Sequence, residues 1–239
     1  MEGLPSSADT RSVRWRVLSE RKLVLWRHGR TAWNVARRFQ GHTDVPLDGV
    51  GRSQARLAAG MLAGLSPSMI ISSDLQRARD TAAELASQVG LQIGIDADLR
   101  ETYAGAWEGL TRDELESQYG AELAAWAAGS DLSPGGGERR SEVAHRMQNA
   151  IYRALAVVPD QGVLVVVTHG GSARSVIGSL LGLPTEHWAI LGVLTNGAWC
   201  VLNETAPVDP TADTPLQPPW RLVEYNARTL PEEASADDR

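Results

Sequence analysis

The chain is poor in cysteine, poor in positive charge and free of any long apolar run, and each shortage removes a class of protein. Cys200 is the one cysteine in 239 residues, so no intrachain disulfide can form. A reducing, cytoplasmic setting fits that usage. No stretch approaches the ~18 consecutive apolar residues of a membrane span, so no membrane partner is expected. Residues 1–20 carry scattered charge and no central apolar block, which reads as a flexible leader and not as a secretory signal. Lys and Arg total 23 against 29 Asp and Glu, a net charge of −6. A nucleic-acid binder would show a basic stripe instead. The five histidines stand apart at 28, 42, 145, 169 and 187, with no metal-ligand spacing, so no metal is expected. Glycine-rich nucleotide loops are missing as well, and no cofactor is implied. The acidic stretch 229–239 reads as a disordered tail.

What is present is an alternation of strand and helix signals. Residues 23–26, 69–72, 91–95 and 163–167 are short apolar runs that read as strands. Residues 51–65, 75–89 and 173–181 read as helices. That alternation predicts an α/β domain over 21–228 with a mainly parallel sheet flanked by helices. Residues 197–202 and 220–225 supply two last strands, joined by a long Pro-rich connection (206–219). Between about 108 and 158 the periodicity is helical, broken only by Ser133-Pro134-Gly135-Gly136-Gly137. This segment reads as a small helical cap with the glycine loop at the mouth of a site. Of the eight tryptophans, Trp33, Trp107, Trp126 and Trp188 read mostly as core packing.

Two strands end alike. The first runs into Arg27-His28-Gly29, the later one into Thr168-His169-Gly170-Gly171. The carboxyl ends of parallel strands are where open α/β sheets bind ligands, and the helix N-termini that follow favour anions. Together they predict one phosphate-handling site. A neutral His28 can attack phosphorus through one ring nitrogen, provided the other donates a hydrogen bond that fixes the tautomer. A structural histidine at a strand end is the plainer alternative. Arg27 and Arg77 offer planar, permanently charged forks for phosphate oxygens; a surface ion pair is the bland role for either. His169 suits charge on a transferring phosphoryl group, as a neutral donor or as an imidazolium. Asn34 and the Gly170 amide are further donors. Thr31 is a substrate-binding candidate that could equally be a helix cap. His42, His145 and His187 read as ordinary surface or core histidines.

Arg27-His28-Gly29 with Thr31 and Asn34, then Ser73-Asp74-Leu75-Gln76-Arg77-Ala78, the Glu101 turn and His169-Gly170 together resemble the histidine phosphatase superfamily. The resemblance runs from about residue 23 to 225. It implies the three-layer phosphoglycerate mutase-like fold, a metal-independent reaction through a phosphohistidine, and Arg77, not Arg79, as a phosphate ligand. It also implies that Glu101 protonates the leaving oxygen and then activates water, a role that needs a carboxyl able to hold a proton near neutral pH. Glu108 and Glu138 are its rivals.

The superfamily holds both mutases and phosphatases. Mutases carry Glu-Arg-His at the proton donor, where this chain reads Glu101-Thr102-Tyr103. The cap segment also looks short and without a basic cluster. Both features predict a phosphatase over a mutase, acting on a small phosphorylated metabolite, a glucosylated phosphoglycerate first among them. A non-catalytic phosphate-binding module would lack one of Arg27, His28, Arg77, Glu101 or His169, and none is missing. The resemblance allows a homodimer, with 197–202 as the edge strand that could pair.

Overall fold

A computed structural model describes residues 21–205 and 220–229. The expected leader, the Pro-rich connection and all but the first residue of the acidic tail lie outside the described residues. The sheet has six strands: β1 (Lys22–Arg27), β2 (Met69–Ser72), β3 (Ile93–Ile95), β4 (Val163–Thr168), β5 (Trp199–Glu204) and β6 (Trp220–Ala227), in the order β3-β2-β4-β1-β5-β6. β1, β2, β3 and β4 pair in parallel, and β5 and β6 close one side antiparallel. All six residues of β4 are buried, as expected of a central parallel strand covered on both faces.

The period of two along each strand divides the core. Leu23, Leu25, Leu164 and Val166 face α5 (Arg140–Leu155) and α6 (Gly170–Leu180). Val24, Trp26, Val165 and Val167 face α2 (Gly49–Ala63) and α3 (Gln76–Val89). Asp48 caps α2, accepting from the Gly51 amide. α2 then buries Gly51, Ala55, Ala58, Ala59 and Leu62, the last three of them against the sheet. Small residues here permit close contact: a Cβ on Gly29 would lie 2.2 Å from the Gly51 carbonyl oxygen. The turn after β1 is thereby pressed onto the start of α2. α3 stops at Gly90 in the left-handed conformation.

The segment expected as a cap over 108–158 divides between two places. α4 (Arg112–Ala127) stands on a small cluster of its own, with Ala104, Trp107, Leu115 and Leu123 around Phe39 and Trp126. α5 instead buries Val143, Met147 and Ile151 against the sheet, where truncating such a residue costs about 2–5 kcal/mol. A helical period looks the same over a sheet or over a mouth, so the sequence pattern merged the two. The expected edge strand also moves. β5 lies between β1 and β6, and the outer strands are β3 and β6. Trp107 and Trp188 are core residues, as read from the sequence, while Trp126 faces the cavity described below. Among the described residues no helix is long and apolar enough to cross a membrane.

Candidate active site

The site forms where β1 and β4 end side by side. β1 closes with Arg27, and the His28 amide then donates to the Thr168 carbonyl at 3.0 Å. His28 is 2% exposed. Its Nδ1 lies 2.7 Å from the Gly29 carbonyl, which can only accept, so Nδ1 carries the proton and Nε2 keeps its lone pair. Burial, then Arg77 and Arg27, hold His28 well below the ordinary histidine range. The residue is neutral at physiological pH, as a nitrogen nucleophile must be.

Arg77 projects from the first turn of α3 and is fully buried. Nη1 and Nη2 donate to the Thr43 and Gly41 carbonyls, both at 2.8 Å, and Nε to His169 Nδ1 at 3.2 Å. Burial lowers it to about 10, which leaves it a cation near neutrality. Its two carbonyl partners lie on a loop fastened by Glu108, whose carboxylate accepts from the His42 amide at 2.8 Å and from the Thr43 hydroxyl at 2.9 Å. Arg27 donates to the Leu194 carbonyl at 2.5 Å. Its guanidinium lies against Gly170, where a Cβ would come within 3.2 Å of Arg27 Cζ. The glycine lets the arginine pack on the start of α6.

His169 is the N-cap residue of α6, fully buried, with its ring centroid 5.1 Å from that of His28. Accepting from Arg77 at Nδ1 leaves Nε2–H to donate to Ser73 Oγ at 2.9 Å. Burial, Arg77 and His28 lower its pKa well below the ordinary value. The resting form is thus the neutral imidazole, not the imidazolium weighed from the sequence. Both ring nitrogens are engaged behind the cavity floor.

Glu101 lies at the N-terminus of α6. Oε1 accepts from the Thr102 and Ser172 amides, both at 2.8 Å, and Oε2 from the Gly171 amide at 2.9 Å. Arg146 and His42 fix its carbonyl oxygen, at 2.9 and 2.8 Å. Neither residue stood out in the sequence, because neither touches the cavity and nothing in their spacing signals a bond to 101. Glu138 is committed to Arg146 and to the Tyr103 amide. Neither rival lines the cavity, and Glu101 does.

Asn34 lines the cavity; its Oδ1 accepts from the Thr31 amide at 3.0 Å. Thr31 itself is the N-cap of α1 (Ala32–Val35), is fully buried and takes the capping role foreseen as its alternative. The cavity holds about 500 Å³. Its floor is Arg27, His28, Arg77, Glu101 and Gly170, and its walls add Arg37, Arg38, Arg112, Arg140 and Arg174. Among the described residues Glu101 is the one carboxylate lining it. The cap segment itself supplies only Arg112 and Arg140; the other wall arginines come from outside it, and the basic lining assembles only in the fold.

A family model of the histidine phosphatase superfamily (branch 1) matches residues 23–207. The glucosyl-3-phosphoglycerate phosphatase of Mycolicibacterium vanbaalenii is 38% identical over 215 residues, 87% of this chain and 95% of its own length. The probable phosphoglycerate mutase GpmB of Serratia proteamaculans is 36% identical over 166 residues, 68% of this chain and 76% of its own. A solved mycobacterial glucosyl-3-phosphoglycerate phosphatase in complex with VO3 matches with a TM-score of 0.79 at 37% identity, covering 87% of this chain and 99% of that one. The chain belongs to the histidine phosphatase superfamily. It is a phosphatase with the phosphoglycerate mutase-like α/β fold.

Proposed function

We propose that the chain hydrolyses glucosyl-3-phosphoglycerate through a phosphohistidine on His28. The observation that carries the mechanism is the Nδ1–H contact to the Gly29 carbonyl, which leaves Nε2 as the nucleophile between two arginines. Arg27 and Arg77 grip the phosphoryl oxygens and stabilise the charge that develops on them. His28 Nε2 attacks phosphorus in line. The P–O bond breaks, its electron pair stays on the leaving oxygen, and Glu101 in its acid form supplies the proton. Oε2 accepts one amide where Oε1 accepts two, so Oε2 is the oxygen with room for that proton. Water then attacks the phosphohistidine and gives a proton back to Glu101. The N–P bond breaks and its pair returns to Nε2, which restores both groups. His169 holds Arg77 through Nε, and Asn34 and the Gly170 amide serve as secondary donors.

Phosphatase action accords with Thr102-Tyr103 beside Glu101, which lack the charge of a mutase Arg-His pair. The substrate is taken from relatives that carry that name and are 37–38% identical over 87% of this chain. A mutase reading finds some favour in the arginine-rich walls, which could retain a second phosphate. We read the partner as a free metabolite and not a nucleic acid, given the net charge of −6, and the setting as cytoplasmic. The test is phosphate release from glucosyl-3-phosphoglycerate, 3-phosphoglycerate, phosphosugars, nucleotides and p-nitrophenyl phosphate, with EDTA present. A kcat/KM for the glucosylated ester about a hundredfold above the others is the expected result. Uniform rates, or interconversion of 2- and 3-phosphoglycerate at a comparable rate, would overturn it.

A further inference from the structure

One wall of the cavity combines the end of α4, the start of α5 and the first turns of α6. Two arginines stand on it, Arg140 and Arg174. Arg140 is 3% exposed. Its Nη2 donates to the Trp126 carbonyl at 2.7 Å, and its guanidinium carbon sits 4.3 Å over the Trp126 ring. Its Nη1 is buried without a partner among the described residues. Burial lowers Arg140 to about 10, and Arg174 pushes the same way. Burial also lowers Arg174, which makes no hydrogen bond or ion pair among the described residues.

Among the described residues no carboxylate pairs with either arginine. Burying a guanidinium with no anion is costly, and two facing cations add repulsion. Arg140 is also the first residue of α5, where the helix dipole disfavours positive charge. Asp131 acts on Arg140, and Tyr225 and Glu101 on Arg174, from a distance, and each makes its hydrogen bonds to other groups. Asp131 accepts from the Ser141 amide and hydroxyl, and Glu101 from its three amides. An anion from outside removes the penalty.

We propose that Arg140 and Arg174 form a second anion subsite, which takes a carboxylate carried on the body of the phosphomonoester while Arg27 and Arg77 take the phosphate. This rests on the reading of His28 as the phosphate end of the cavity and makes phosphorylated hydroxy acids the substrate class. A flat, two-oxygen anion matches guanidinium forks on one wall. Ala127, Ala189 and Leu191, which also line the cavity, have apolar side chains.

The test uses a pair of inhibitors that differ in the carboxylate alone. 3-Phosphoglycerate and glycerol 3-phosphate compete against p-nitrophenyl phosphate turnover, and the ratio of their Ki values is read. The subsite predicts binding of the acid tighter by about tenfold or more, and a ratio that falls towards one in Arg140→Met and in Arg174→Met. Arg174 is partly exposed, so its variant remains informative if Arg140→Met fails to fold. A ratio near one in the unaltered chain, or one that survives both variants, overturns the proposal. A bisphosphate that gains from the two arginines where the carboxylate does not would overturn it too. If glucosyl-3-phosphoglycerate proves inert while the ratio behaves as stated, the substrate reading fails and the subsite stands. Rapid turnover of that ester with an unmoved ratio gives the converse.

Discussion

The floor and the far wall of one cavity prepare for anions in opposite ways. On the floor, Arg77 is clamped by two carbonyls and His169, and Glu101 is held by three amides before any substrate arrives. On the wall, Arg140 keeps a buried Nη1 without a partner among the described residues. The floor is preorganised, so little reorganisation remains for the moment of reaction. The wall is left incomplete, so a ligand completes it. That contrast suits a division of labour in which the floor does chemistry and the wall chooses the substrate.

The largest expected effect comes from destroying the floor. His28→Ala removes the nucleophile and should lower turnover of every ester by about a thousandfold or more, measured as kcat. A residual rate within tenfold of the original would move the nucleophile elsewhere. Next is Glu101→Gln. It should slow alkyl phosphates by about a hundredfold or more and p-nitrophenyl phosphate much less in the first chemical step, because a good leaving group needs little protonation. Equal losses in a single-turnover experiment would remove Glu101 as the acid. Weaker still is Glu108→Gln, which loosens the loop that fixes Arg77 without touching substrate. A rise of about tenfold in KM, with a smaller change in kcat, is expected. An unchanged KM would mean that Arg77 holds its place without that loop.

The smallest effect is on stability. His28 and His169 are neutral in the folded protein, with pKa values lowered chiefly by burial. Unfolded, each titrates near pH 6.5. As pH falls below that value the unfolded chain takes up protons that the folded chain does not, so stability declines there and these groups contribute no slope above it. Each histidine adds at most about 1.4 kcal/mol per pH unit. Thermal melts from pH 7.5 to 5 should fall less steeply in His169→Gln. Parallel curves would mean that His169 is charged in the fold.

The contrast between floor and wall also separates what could be read in the sequence from what could not. Arg27, His28, His169 and Gly170 follow directly from two apolar strands that end in His-Gly, since parallel strands deliver their last residues to one edge. Arg77 and Glu101 needed the family pattern. The wall was invisible, because Arg37 lies in the turn after α1 while Arg112, Arg140 and Arg174 stand on three separate helices, and only tertiary packing brings them together. Arg146 and His42 escaped for a related reason: they bind the Glu101 carbonyl oxygen, a main-chain atom whose partners no side-chain motif announces. The division of the cap depended on which face of α5 met the sheet, a choice that its helical period leaves open.

The most direct test of the account is to trap the phosphorylated floor. Glu101→Gln, quenched in alkali during p-nitrophenyl phosphate turnover, lets the nucleophile react while the water step is slowed. Mass analysis should then locate one phosphoryl group on His28. Its absence, or its presence on His169 or any other residue, would contradict the assignment of His28 as the nucleophile.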